Sequence, residues 1–268
     1  MGSFLYIILG GVAVFFAFKM SAIAGLVAIL AVTAILVYIL YPKYTLGRAN
    51  AFFNNGDTET AIKKYKKVIK TGRADLNTRI AFANILMRSD KASDALTEIN
   101  KVLSIRLDPK VKYLAKQTRC MINYRLGNMD EAMEEINELF EDGYKTSNTY
   151  SIMGYFMLLT KAPLDETLAM CEEAYDYDNE SRDIVDNLLS CYLKTGQLEK
   201  AKEISDHVIK LAPQFVEGFY HSVMLYEALG DHKKAKECAQ KLKDCKRSVM
   251  TTIPEADVNK VIAKYEKY

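Results

Sequence analysis

The chain has 268 residues, 36 Lys and Arg against 34 Asp and Glu, and a formal net charge of +2. That near-balance excludes nucleic-acid binding driven by bulk positive charge. The five cysteines are odd in number and none are spaced as a CxxC pair. This argues against a disulfide framework or a structural zinc site and suits a reducing compartment.

The first 41 residues carry one charged side chain, Lys19. Phe4 to Phe18 and Ala22 to Tyr41 are apolar runs. As a single helix, residues 4–41 would be about 57 Å long, nearly twice the ~30 Å of a bilayer's hydrocarbon core. The expectation is therefore a transmembrane helical hairpin over 1–41, with helices at about 2–18 and 22–41. Its break lies at Lys19-Met20-Ser21, Ser21 caps the second helix, and Pro42 ends it. Gly10, Ala13 and Ala17 on one helix and Ala24, Ala28 and Ala31 on the other are small-residue stripes suited to close membrane helix pairs. The alternative is a signal peptide followed by one anchor, but no basic residue precedes Phe4. Beyond the apolar runs, residues 43–73 hold eight basic and two acidic side chains. The positive-inside bias then places the rest of the chain in the cytoplasm, as an integral membrane protein.

From residue 42 the chain repeats. Ala61, Ala95, Ala132, Thr167, Ala201 and Ala235 are separated by 34, 37, 35, 34 and 34 residues. Each follows a break such as Asn55-Gly56-Asp57 or Leu126-Gly127-Asn128, where a helix C-cap meets the next N-cap. This predicts helix pairs at about 42–75, 76–109, 113–146, 148–181, 182–215 and 216–249, with a methyl-sized residue where helices cross closely. The fourth unit departs, with Thr167 for Ala and Gly154 one place out of register, and irregular helices are expected there. Ile253-Pro254 breaks the array. Val258, Val261, Ile262 and Tyr265 then mark one face of a capping helix over 253–268, with Lys260, Lys264 and Lys267 around it.

The strings NNGDTETAIKKYKKVI, YRLGNMDEAMEEINELF, LKTGQLEKAKEISDHVIKLAP and EALGDHKKAKECAQKL resemble the tetratricopeptide repeat (TPR) family. The family's Gly-x-x-x-x-Ala spacing is met by Gly56/Ala61, Gly127/Ala132, Gly196/Ala201 and Gly230/Ala235. The resemblance covers about residues 43–249. With the apolar runs and the terminal pattern, it gives an all-α fold: an N-terminal transmembrane helical hairpin, an α-solenoid of about six TPR-type helix pairs, as the resemblance implies, and a C-terminal capping helix.

The same resemblance implies a groove lined by the first helices of the repeats, holding a peptide segment or partner helix. Carried over by position, the protein-binding residues are Asn50, Phe53, Asn84, Arg88, Gln117, Tyr124 and Arg125. Phe156, Asp183, Asp186, Glu217, Tyr220 and Met224 occupy comparable places in later repeats. Asn50 and Asn84 stand 34 residues apart, and an amide can pair with both the N–H and C=O of an extended peptide. Leu46 stands where the family's carboxylate clamp has Lys, which argues against a receptor for chaperone tails. Lys63, Lys64, Lys66, Lys67 and Lys70 form a second cluster, read either as a membrane-surface patch or as a solvated helix face.

His207, His221 and His232 are not in metal-ligand spacing, and no glycine-rich phosphate loop follows the apolar runs. Neither a catalytic constellation, a metal site nor a cofactor is expected, so the chain is read as a non-enzyme. Its layout resembles bacterial membrane-anchored TPR adaptors of envelope biogenesis. The expected function is a scaffold that localises or assembles protein partners at the membrane, with membrane lipid as a further partner and no nucleic acid. The alternative is a structural self-assembling membrane protein, a homo-oligomer formed through the array or the hairpin.

Overall fold

A computed structural model describes residues 2–245, 247 and 251–266. Lys267 and the last turn of the expected array, around residues 248–250, lie outside the described residues. Among the described residues the structure is all helical, and it divides into two compact units, Met1–Ile85 and Leu86–Tyr268.

The first unit opens with α1 (Gly2–Met20) and α2 (Ala22–Asn54), which pack together as a hairpin. Ser21 makes the turn, its hydroxyl accepting the N–H of Ala24 at 3.1 Å. A Cβ on Gly10 would come within 2.7 Å of Val32, and one on Gly25 within 2.4 Å of the Phe18 ring. The close approach therefore runs through Gly10 and Gly25, with Ala17, Ala24 and Ala28 half-buried beside them, while Ala13 and Ala31 of the expected stripes are exposed. Large apolar side chains such as Phe16, Ile23, Leu26 and Leu30 cover the outside of the hairpin.

The main departure from expectation is at Pro42, which does not end the second helix. α2 runs through it to Asn54. Proline removes an N–H and crowds the carbonyls a turn earlier, so an uninterrupted helix needs compensation there. The carbonyl freed by Pro42 is that of Tyr38; beside it the Arg73 guanidinium donates to the neighbouring Ile39 carbonyl at 3.5 Å and lies 3.9 Å from the centre of the Tyr38 ring. The last part of α2 then pairs with α3 (Thr58–Lys70) as a repeat unit, with Ala61 fully buried and Tyr65 stacked on Phe82 at 5.6 Å. The apolar run and the first repeat thus share one helix. α4 (Leu76–Arg88) carries the boundary between the units.

The second unit continues the helix pairs: α5 (Ala92–Leu103), α6 (Pro109–Leu126), α7 (Met129–Glu141), α8 (Ser147–Thr160), α9 (Leu164–Tyr177), α10 (Arg182–Lys194), α11 (Leu198–Leu211), α12 (Val216–Ala228) and α13 (His232–Asp244). α6, α8, α10 and α12 are first helices, each followed by its partner, and α8 packs on α10 and α10 on α12. Ala95, Ala132, Ala201 and Ala235 are all fully buried, as a close helix crossing requires. Each helix pair buries a stripe that cannot be covered alone, which is why stacking gives a continuous core. α14 (Glu255–Glu266) closes the stack on α12 and α13, burying Val258 and Tyr265.

The fourth repeat is regular in its helices and unusual in its turn. Gly56, Gly127, Gly196 and Gly230 hold the left-handed backbone that ends each first helix, and Asp90 and Lys161 hold it in the second and fourth repeats. From Lys161 the chain takes six residues rather than five to reach the crossing position. Thr167 fits there, fully buried, because its hydroxyl bonds back to the Pro163 carbonyl at 2.9 Å. Gly154 is a contact glycine, since a Cβ would meet Cys171 Sγ at 3.2 Å and Asn187 Nδ2 at 3.3 Å.

Candidate functional site

The first helices of the second unit place a line of polar and aromatic side chains at repeat spacing. From α6, the Tyr124 hydroxyl meets the Tyr155 hydroxyl of α8 at 2.8 Å, with the two rings edge to face at 5.7 Å. Also on α8, the Ser151 carbonyl accepts from the buried Asn187 amide of α10 at 2.8 Å. Asp186, its neighbour on α10, reaches His221 of α12 at 2.9 Å. One turn before His221 lies Glu217, only 5% exposed. Its carboxylate accepts the backbone N–H of Thr252 at 2.7 Å and the Thr252 hydroxyl at 3.2 Å.

The electrostatics follow from burial. Desolvation raises Glu217, and the hydrogen bonds from Thr252 pull it back only in part. Burial works against charge on His221, but Asp186 and its hydrogen bond outweigh it, so the ring holds its proton above the ordinary histidine range. Burial and the Tyr124 hydroxyl push the Tyr155 hydroxyl up. The polar groups of this line are buried or half-buried and paired with one another or with Thr252. Thr252 sits in the ten-residue connection between α13 and α14.

The sequence-derived residues divide among these places. Tyr124, Asp186 and Glu217 belong to the line. Gln117 is half-buried on α6; Met121, one turn further along the same helix, packs into the core with Phe156. Phe156 is fully buried, a core residue rather than a surface one, and Tyr155 beside it faces the Tyr124 hydroxyl. The extra residue of the fourth repeat lies in the turn after Thr160, so spacing alone does not distinguish these two neighbours. Tyr220 is half-buried against the core under α14, Met224 is 45% exposed, and Asp183 is exposed at the start of α10. Arg125 pairs with Asp90 at 2.9 Å, bridging the end of α6 to the turn before α5, and Arg88 is exposed in the last turn of α4. An open cavity of about 430 Å³ lies beside that bridge, lined by Asp90, Ser93, Asp94 and Arg125 among others.

Asn50, Phe53 and Asn84 belong to the first unit and are not part of the line. Asn50 accepts the Tyr65 hydroxyl at 2.7 Å, spanning its own helix pair. The Asn84 amide turns back to the Ile80 carbonyl at 3.4 Å. Their equivalence in spacing does not extend to their partners. Phe53 is half-buried. Within the lysine cluster, Lys64 lies over Phe52 at 5.3 Å and Lys67 over Tyr41 at 5.8 Å, so both face α2. Lys63, Lys66, Lys67 and Lys70 are exposed, with Lys63 4.0 Å from Glu59.

Tyr155, His221, Asn187 and Thr252 are the members that spacing alone did not nominate. The 34-residue register carries Asp186 to Tyr220, one place before His221, so the Asp186–His221 pair was not marked by spacing. The Thr252 contact depends on a connection folding back onto α12, and no sequence period marks it.

Two tetratricopeptide repeat family models match, one at residues 184–215 and 216–244 and the other at 46–71. The chain carries tetratricopeptide repeats. The match at 46–71 covers the end of α2 and α3, which fits the sharing of one helix between the apolar run and the first TPR unit. Among solved structures, PilW, a widely conserved type IV pilus biogenesis factor, is 15% identical at a TM-score of 0.62, covering 83% of this chain and 98% of that one. The pilF protein of Pseudomonas aeruginosa is 14% identical at a TM-score of 0.61, covering 83% and 97%. At these identities the likeness establishes the TPR fold alone. DnaJ homolog subfamily C member 3 of Gallus gallus is 23% identical over 235 residues, 86% of this chain and 41% of the relative. The chain spans about two fifths of the length of the curated relatives it matches. α2 is long and apolar enough to cross a membrane, and a shorter apolar helix covers Tyr6–Met20.

Proposed function

We propose that this protein is a membrane-anchored TPR scaffold that holds an extended segment of a protein partner along its first-helix face and so fixes that partner at the membrane. The observation that carries this reading is the continuity of α2, because the helix apolar enough to span a bilayer is also the first helix of the first repeat. An anchor joined to its array by unbroken helix sets the height and direction of the first repeat, where a flexible linker would not. The line from Tyr124 to Glu217 supplies the binding face, and Glu217 shows its chemistry on a backbone N–H. The basic excess after Tyr41 supports a cytoplasmic array, with Lys19 alone on the opposite side. Assembly work at a bacterial envelope is the setting that this layout resembles.

Expression of the full chain followed by alkaline extraction of membranes tests the anchoring. The chain is expected to stay in the membrane pellet. In sealed inside-out vesicles, protease is expected to degrade the array and spare only the hairpin. Release by alkali, or protection of the array, would overturn the reading.

A further inference from the structure

We infer that the membrane-proximal end of the first repeat forms a binding site for the phosphate of an anionic lipid, built from Lys67 against Tyr41 and Arg73 against Tyr38, with Lys70 in the same last turn of α3 as Lys67. The inference rests on α2 crossing the bilayer as proposed above. It also divides the basic cluster: the inner cations bind the headgroup layer more strongly than Lys63 and Lys64 do.

The geometry sets the heights. Residues 22–41 of α2 make about 30 Å of helix, the thickness of a hydrocarbon core, which puts Tyr38 and Tyr41 at the interface where tyrosine is favoured. α3 returns antiparallel to α2: Lys64 lies over Phe52, Tyr65 meets Asn50, Lys67 reaches Tyr41, and Arg73, three residues past the helix, reaches Tyr38 and Ile39. The C-terminal end of α3 therefore descends to the interface. Phe52 stands eleven residues beyond Tyr41 on α2, about 16 Å higher at ~1.5 Å per residue. Along α3 itself Lys70 lies six residues, about 9 Å, below Lys64. That is about one Debye length at physiological salt, so the leaflet acts more strongly on Lys70 than on Lys64.

The inner cations are also available. Among the described residues no carboxylate is within ion-pair distance of Lys67, Lys70 or Arg73, whereas Glu59 lies beside Lys63. The Arg73 guanidinium is already held at the interface by the Ile39 carbonyl and the Tyr38 ring, which leaves its remaining N–H groups to fork onto phosphate oxygens. Lys67 and Lys70 add point charges from the last turn of α3.

The test is native mass spectrometry of the full chain released from nanodiscs of phosphatidylcholine, with and without phosphatidylglycerol. Retained phosphatidylglycerol is expected to exceed phosphatidylcholine. Each inner cation replaced by Gln should weaken retention about fivefold, which is ~1 kcal/mol per cation near an anionic leaflet. The double variant Lys67→Gln/Lys70→Gln leaves the Arg73 contacts intact, so its loss reports charge rather than folding. Lys63→Gln/Lys64→Gln should weaken retention clearly less than Lys67→Gln/Lys70→Gln. Millimolar inorganic phosphate should not displace the lipid; displacement would show a site for free phosphate instead. Equal losses from the inner and outer pairs, or no preference for phosphatidylglycerol, would overturn the inference. Failure to enter phosphatidylcholine nanodiscs would instead overturn the anchoring itself.

Discussion

Phe156→Ala is expected to destabilise the second unit by about 3–5 kcal/mol, the range for truncating a fully buried phenylalanine. Phe156 is 0% exposed among Cys120, Ile136, Leu139 and Met153, and its ring lies 5.2 Å from that of Tyr124. Tyr155→Phe, one residue away, keeps the ring and removes only the hydroxyl bonded to Tyr124. It should cost about 1 kcal/mol. Thermal unfolding of the full chain in mild detergent, followed by helical circular dichroism, separates the two. A Tyr155→Phe loss as large as that of Phe156→Ala would mean that the hydroxyl pair is structural and the first-helix line is no binding surface.

Arg119→Ala should be similarly damaging for a different reason. Arg119 clasps Glu135 through Nε at 3.0 and 3.1 Å and through a terminal nitrogen at 2.7 Å, and the Glu135 side chain is only 5% exposed. Burial raises the Glu135 carboxyl, and Arg119 is the largest influence that lowers it again. Removing the guanidinium leaves a buried charge unpaired, at about 3 kcal/mol. The sign with pH follows. Without Arg119 the folded carboxyl binds its proton more tightly than the unfolded one, so stability falls as pH rises through and above the ordinary carboxylate range. The loss in Arg119→Ala should therefore be larger at pH 8 than at pH 5. Replacing both partners, Arg119→Met with Glu135→Leu, should recover most of it. Urea midpoints of the three chains at the two pH values decide the matter. A pH-independent loss would show that Arg119 acts by packing alone.

The helix pairs and their crossing residues were legible from sequence because they depend on local rules. A methyl at Ala61 or Ala201 and a left-handed glycine at Gly127 are demanded by geometry within one helix pair. What was not legible depended on compensation from elsewhere. Pro42 reads as a helix end, yet α2 continues through it, with Arg73, thirty-one residues later, packed on Tyr38 and bonded to the Ile39 carbonyl. Thr167 reads as an irregularity until its hydroxyl is seen bonded to Pro163. Phe156 and Tyr155 cannot be ranked by period, since the added turn residue beside Lys161 comes after both and only packing decides which ring is core. The Glu217–Thr252 contact joins a first helix to a connection with no periodicity of its own. Asn50 and Asn84 share a spacing, while the Asn50 amide oxygen accepts from Tyr65 and the Asn84 amide reaches the Ile80 carbonyl.

The central claim is that a partner segment is held on the first-helix face while the chain is anchored. A photoreactive amino acid placed at Tyr124 or Met224, and at Lys202 on the opposite, second-helix side, tests it in intact membranes. The account predicts a discrete cross-linked protein adduct from the first-helix positions, in the membrane fraction, and none from Lys202. Equal adducts from both sides, or adducts consisting only of a second copy of this chain, would contradict it.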